Sequence, residues 1–184
     1  MLSAQDPVTW NPARIAVAGV SGVGKTTLAR SMAAALDIPH TELDSLFHGP
    51  NWEPLPGFEG SVAKLIAGPR WITEWQYSSA RDPIVARADT LVWLDFPSRI
   101  TMWRVIRRTV LRRVRREELW NGNIEPSLGT IWSDPEHIIR WAWGTRKNYR
   151  VLVPESAQRH PGLRVVRLRT PREARRWVAA LPRS

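Results

Sequence analysis

The 184-residue chain contains no cysteine, which excludes disulfides, thiolate metal sites and a catalytic thiol, and is compatible with a reducing cytoplasm. It has no apolar run long enough to span a bilayer, and its opening, Met1 to Pro12, lacks the basic-then-apolar order of a secretory signal. The expectation is a cytoplasmic protein with no membrane partner. Lysine is scarce: only Lys25, Lys64 and Lys147 stand among the 27 basic residues, and the rest are arginine. That bias favours forked recognition of phosphate, although an arginine-rich composition can arise with no functional cause. There is no internal repeat and no long low-complexity linker, and the length suits one domain, residues 1–184.

Acidic residues are thin in one half of the chain. Residues 1–98 hold 7 Lys/Arg against 10 Asp/Glu, whereas residues 99–184 hold 20 against 7. A basic half of this kind suits a surface that meets phosphates, on a small anionic substrate or on a nucleic-acid backbone, and charge alone does not choose between them.

The segment Gly19-Val20-Ser21-Gly22-Val23-Gly24-Lys25-Thr26 fills every fixed position of the phosphate-binding loop G-x-x-x-x-G-K-[ST]. In such a loop glycines let successive backbone N–H groups turn inward on the α/β-phosphates, the lysine reaches the β/γ oxygens, and the hydroxyl can ligate Mg²⁺. The context is also right: Arg14 to Ala18 reads as a buried strand, and Thr27 to Leu36 as a helix. That helix adds free N–H groups and partial positive charge at its start. The candidate nucleotide-binding set is therefore Gly19, Ser21, Gly22, Val23, Gly24, Lys25, Thr26 and Thr27, with ATP and Mg²⁺ as the implied cofactors.

The remaining pattern predicts strands near 38–43, 71–74, 90–95 and 163–168, and helices near 58–67, 83–88, 98–116, 134–150 and 172–181. Ser98 is the candidate cap of the 98–116 helix. Strands alternating with helices predict a P-loop NTPase fold of the α/β class: three α/β/α layers around a five-stranded parallel sheet, with an Arg-rich helical lid. The core is expected over about 13–97 and 160–182, and the lid and helical excursion over about 98–150.

Phosphoryl transfer needs alignment, a metal ion and positive charge on the oxygens that gain charge. Asp44, at the end of the second strand, is the candidate to address an acceptor hydroxyl; the plain alternative is a helix cap or turn acid. Glu74, ending the third strand, could hold metal-bound water opposite Thr26. Asp95 reads instead as a structural turn residue beside Pro97. In the 98–116 helix, Trp103, Ile106, Val110 and Val114 form the expected apolar face, with Arg104, Arg107, Arg108, Arg112 and Arg115 opposite as a phosphate clamp or a solvated basic face. The tryptophans are assigned to packing.

Several stretches together carry a resemblance: Gly19 to Thr27, Leu43-Asp44 with Gly49-Pro50-Asn51-Trp52, Tyr77 through Arg81-Asp82, Arg87 to Asp95, and Arg116-Glu117-Glu118-Leu119-Trp120-Asn121-Gly122-Asn123. Over about residues 14–150 the chain resembles the adenylate-kinase-related P-loop proteins often called DNA topology modulation proteins. The resemblance implies a small-molecule or nucleotide kinase fold. It also implies that Arg107 to Arg116 close over the triphosphate, that Asp44 and Arg81 face the acceptor, and that Thr170 and Pro171 border the adenine. The chain departs from its relatives at Glu74-Trp75-Gln76-Tyr77, where they read acid-glycine-asparagine before the tyrosine, so Trp75 is expected to add bulk beside the γ-phosphate.

The leading expectation is thus a Mg²⁺-dependent ATP phosphotransferase with a small-molecule acceptor. Lys25, Asp44, Arg108, Arg112 and Arg115 form the candidate catalytic set, Asp44 and Arg81 the acceptor site, and Thr26 and Glu74 the metal site. Two rivals stand beside it: a P-loop switch whose basic half binds DNA or RNA backbone, and a nucleotide binder without turnover.

Overall fold

Five short runs rich in Val, Ile, Trp and Thr form the sheet in a computed structural model that describes residues 1–115, 120–123, 143–145 and 147–182. The strands are β1 (Arg14–Ala18), β2 (His40–Thr41), β3 (Trp71–Trp75), β4 (Thr90–Leu94) and β5 (Arg164–Leu168). All pairings are parallel, in the order β2-β3-β1-β4-β5. Every residue of β3 and β4 is buried, as expected for strands covered on both faces. The connections leaving β1 and β4 run in opposite directions, so a ligand crevice opens at the carboxyl ends of these neighbouring strands.

Seven helices stand among the described residues: α1 (Lys25–Leu36), α2 (Leu43–Phe47), α3 (Phe58–Ala67), α4 (Ser78–Arg87), α5 (Ser98–Arg115), α6 (Tyr149–Arg159) and α7 (Pro171–Ala179). Strand alternation sorts them into layers. Ile15, Val17, Ile72, Val92 and Val166 pack with Leu28, Met32 and Leu36 of α1 and Trp177 of α7. Ala16, Trp71, Trp75, Leu91 and Trp93 face the other way, against Val62 and Ile66 of α3, Ile84 of α4 and Val153 of α6. The expected three-layer α/β fold with a five-stranded parallel sheet is what forms. Among the described residues no helix is long and apolar enough to cross a membrane.

Several boundaries differ from the sequence reading. The second strand keeps only two residues, because the chain turns into α2 at Leu43. α4 begins at Ser78, with Pro83 at its sixth position, and α6 carries Pro154 likewise. An internal proline reads as a helix start or stop, yet buried Ala80, Ile84, Tyr149 and Val153 hold both helices through it. The helix expected over 134–150 lies mostly outside the described residues. The amino-terminal arm also acts on the sheet: Leu2 donates to the Val165 carbonyl at 2.7 Å and accepts from Arg167 N–H at 2.8 Å, covering the free edge of β5.

The α5 helix is turned relative to expectation. Trp103 and Val114 are 66% and 74% exposed, and the side buried is Thr101, Val105 and Thr109. The reason is the surface it packs on: a glycine-rich loop accepts only small or slender side chains, and the bulky apolar residues do not fit there. Ser98 is the helix's first residue, and the Pro97 carbonyl accepts from the Ile100 and Thr101 amides.

Candidate active site

The loop between β1 and α1 has the shape its composition demands. Gly22 and Gly24 adopt φ of +72° and +105°, in the left-handed region that a Cβ disfavours. At Gly22 there is also no room: a Cβ would lie 2.3 Å from Val105 Cγ2 of α5. No side chain caps the start of α1 and no acid occupies its first turn, so its amide donors remain for an anion. Lys25 Nζ donates to the Val20 carbonyl at 3.4 Å, folding back over the loop. Burial lowers the Lys25 pKa to about 8, with the Arg108 guanidinium adding to the effect, while the Asp44 and Glu74 carboxylates oppose it. Gly19, Ser21, Val23, Thr26 and Thr27 complete the same loop and helix start.

Glu74 meets Thr26, as the two-residue alternation of β3 requires. Ile72 and Glu74 face α1, and Trp71 and Trp75 face away. The Thr26 hydroxyl donates to Glu74 Oε1 at 3.1 Å, His40 Nε2 approaches the same oxygen at 3.2 Å, and the Leu43 amide donates to Oε2 at 3.2 Å. Burial works to raise the Glu74 pKa, but the hydrogen bond and charge of His40, the Leu43 N–H and the Lys25 ammonium outweigh it, and the net shift is downward. An ionised carboxylate therefore accepts the Thr26 O–H hydrogen bond and leaves that hydroxyl's oxygen lone pairs turned away from it. Hydroxyl and carboxylate oxygens beside a phosphate loop are the hard donors that Mg²⁺ selects, so these residues fit that ion.

Trp75 does not crowd the γ-phosphate position. It is buried on the opposite face of the sheet, and its indole N–H donates to the Arg81 carbonyl at 2.9 Å. The strand alternation that brings Glu74 to Thr26 necessarily sends its neighbour the other way.

Asp44 lies in the first turn of α2, just beyond β2. Its Oδ1 accepts from the Tyr77 hydroxyl at 2.6 Å and from the Gln76 amide, and the Tyr77 hydroxyl also lies 3.2 Å from His48 Nε2. Burial first, and then the Asp44 carboxylate, push the Tyr77 pKa well above its ordinary value, so the phenol stays a donor. Among the described residues no hydrogen bond engages Asp44 Oδ2. Arg81 is committed locally: Nε and Nη2 donate to the Gln76 carbonyl at 3.1 and 2.7 Å. It therefore stiffens the turn that presents Gln76 and Tyr77. The loop after α2 is held by a residue distant in sequence: Asn123 donates to the Gly49 carbonyl at 2.8 Å and accepts from the Trp52 amide at 3.0 Å.

Of the arginines, Arg104 donates to the Val23 carbonyl at 3.1 Å and lies over the Phe96 ring. Arg108 and Arg112 follow at four-residue intervals, half-buried on the same side of α5, while Arg107 and Arg113 are exposed. The Arg115 side chain lies outside the described part. Asp95 receives Arg167 at 3.0 Å and Arg150 at 3.3 Å, which makes it a structural hub joining β4, β5 and α6. Thr170 caps α7 by accepting from the Glu173 amide at 3.1 Å, with Pro171 as the helix's first residue.

Neither His40 nor Gln76 stands out in the sequence as a site residue. His40 becomes a partner of Glu74 through strand pairing beside Ile72, and register has no signature in a two-residue strand; Gln76 reaches Asp44 from just beyond β3.

With this geometry in hand, comparison with solved structures defines the class of architecture. A gluconokinase from Sinorhizobium meliloti 1021 is similar at TM-score 0.53 and 20% identity, over 92% of this chain and 91% of that one. A shikimate kinase from Bacteroides thetaiotaomicron is similar at TM-score 0.51 and 14% identity, over 91% and 94%. The fold is a P-loop kinase-like fold. No protein-family profile and no curated protein matches the chain.

Proposed function

We propose that this chain is an ATP-dependent phosphotransferase that moves the γ-phosphoryl group to a small acceptor, in the manner of the adenylate-kinase-related group its sequence resembles. The observation that carries the proposal is the convergence on one loop of three chemistries: the half-buried Lys25, the Thr26–Glu74 pair, and the half-buried Arg104 and Arg108 of α5. Loop amides and Lys25 hold the β/γ oxygens. Arg108 and Arg112, with Arg115 at the helix end, meet the transferred group and counter the charge it gains in the transition state. Asp44 directs its unengaged Oδ2 at the acceptor hydroxyl and takes its proton, while Tyr77 and Gln76 fix the other oxygen. The new bond joins the acceptor oxygen to the γ-phosphorus, the bridge to the β-phosphate breaks, and ADP leaves. Thr26 and Glu74 would hold Mg²⁺, which would supply Lewis-acid charge to the triphosphate. Thr170 and Pro171 border the adenine, and Arg81 serves the acceptor through the Gln76–Tyr77 turn.

The test is a transfer screen: labelled ATP with panels of nucleosides, nucleoside monophosphates and metabolite alcohols, read by mass spectrometry. One labelled product is expected, lost in Lys25→Ala. Undiminished turnover in Lys25→Ala of verified mass would refute the reading.

A second reading has one observation in its favour. The outward side of α5 mixes exposed Arg99, Arg107 and Arg113 with exposed Trp103, a basic and aromatic surface of the kind that tracks a nucleic-acid strand. In that reading ATP sets a conformation and the basic half binds DNA or RNA. Binding would then fall steeply with salt and collapse in Arg107→Ala/Arg113→Ala, and a flat isotherm at low salt would remove it.

A further inference from the structure

The Glu74 carboxylate is fixed from three directions, and two of the three contacts, from the Leu43 amide and from His40, come from outside the phosphate loop. His40 opens β2, the edge strand, and pairs with Ile72 of β3. Paired residues on neighbouring strands send their side chains to the same face, which is the α1 face for Ile72 and Glu74. His40 is thereby brought to Glu74 Oε1 at 3.2 Å, with side chains 8% and 3% exposed. An ionised carboxylate only accepts, so Nε2 carries the hydrogen.

We propose that His40 is the positioning residue of the magnesium–nucleotide site, holding Glu74 Oε1 in place so that the Thr26 hydroxyl turns its proton inward and its oxygen outward to the cation. A threonine hydroxyl is a free rotor that can donate or accept, and its orientation follows from the fixed acceptor it faces. Glu74 has three side-chain torsions. The Leu43 amide restrains Oε2. Oε1 would be left with the Thr26 rotor alone if His40 were absent, and neither partner of that pair could then orient the other. Outer hydrogen bonds of this type commonly control metal affinity by roughly tenfold or more without touching the ion.

The inference rests on the proposed use of Thr26 and Glu74 for Mg²⁺, and the experiment separates the two. A non-hydrolysable ATP analogue is titrated by calorimetry into full-length protein across a Mg²⁺ series and in EDTA, for wild type, His40→Leu, His40→Asn and His40→Gln. The glutamine places its amide nitrogen near the Nε2 position, and the asparagine falls one atom short. Expected are a Mg²⁺ requirement raised roughly tenfold in His40→Leu and His40→Asn, near-wild-type behaviour in His40→Gln, and binding in EDTA unchanged in all four. Should His40→Leu fail to fold, the Asn and Gln variants decide the matter. Equal Mg²⁺ requirements across the set, or losses as large in EDTA as in Mg²⁺, overturn the inference. A wild-type protein that binds the analogue no better with Mg²⁺ overturns the metal reading itself, and the inference with it.

Discussion

Arg104 Nη1 donates to the Val23 carbonyl at 3.1 Å, bonding the arginine helix directly to the phosphate loop. The residue after it, Val105, is fully buried against Gly22. Loop shape and helix seating are therefore one problem. In Gly22→Ala the new Cβ meets both a left-handed φ and Val105 Cγ2 at 2.3 Å. Strain at such a residue costs about 1–3 kcal/mol, and the expected result is a loss of that order in chemical denaturation with a larger proportional loss of nucleotide binding. Val105→Ala added to Gly22→Ala removes the Cγ2 contact but neither the approach of the Val105 nitrogen and Thr101 carbonyl at 3.1 and 3.2 Å nor the backbone strain, so stability should return only in part. Full recovery would show that φ contributes nothing here.

Lys25 predicts a pH dependence of opposite sign in two measurements. Burial lowers its pKa from 10.5 to about 8. Between those values the unfolded chain binds more protons at this site than the folded one, so the group's contribution to stability improves as pH rises from about 8 towards 10.5. Relative to Lys25→Met, wild type should gain in Tm across that window. Triphosphate binding wants the ammonium and should weaken as pH climbs through about 8. Near that pH, binding should take up a fraction of a proton, seen by calorimetry in buffers of different ionisation enthalpy. Because the Arg108 charge helps to lower Lys25, Arg108→Ala should move both midpoints upward. Midpoints that stay put would mean the two charges are not coupled.

Glu74→Gln tests the buried acid. The amide has one oxygen, whereas Thr26 and His40 require an acceptor on one side and the Leu43 N–H requires one on the other. One buried donor is left facing an NH₂ group, a cost of about 1–3 kcal/mol. Because the folded pKa of Glu74 lies below its ordinary value, the wild-type advantage is present above the unfolded carboxylate range of about 4.3 and is lost as pH falls through the folded value. Urea denaturation of both proteins from neutral pH into acid should show the gap closing. A gap independent of pH would assign the loss to packing.

The layered fold was legible because burial on both faces of a parallel sheet and a fixed loop motif are local in sequence. Gly19 to Thr27 declares itself within nine residues, and Val92 or Val166 needs no partner to read as core. What stayed hidden depends on contacts between distant segments. The facing of α5 is set by the loop it sits on, and its own periodicity points Trp103 and Val114 the wrong way. The His40–Glu74 bond arises from strand register, and the Asp44–Tyr77 bond joins segments that follow two neighbouring strands. Arg81 resembled an acceptor ligand by motif, yet its donors reach a carbonyl five residues back.

Trp75 carries the clearest disagreement between motif and structure, and so the sharpest test. Where relatives are expected to hold glycine, the indole fills the α3/α4/α6 side of the sheet and donates to the Arg81 carbonyl. Restoring the motif with Trp75→Gly removes a fully buried ring and leaves that carbonyl without its partner. Truncating a buried tryptophan costs about 3–5 kcal/mol, and replacing it with glycine in a strand adds a backbone entropy term. A bulk-relief view predicts the contrary, a more open acceptor site and faster transfer at little cost in stability. Thermal unfolding and nucleotide titration on one preparation distinguish them: the structure requires a large fall in Tm, with analogue binding retained while the protein is folded, because Glu74, on the opposite face, still meets Thr26. Tighter binding with unchanged Tm would mean that the indole faces the phosphate side after all.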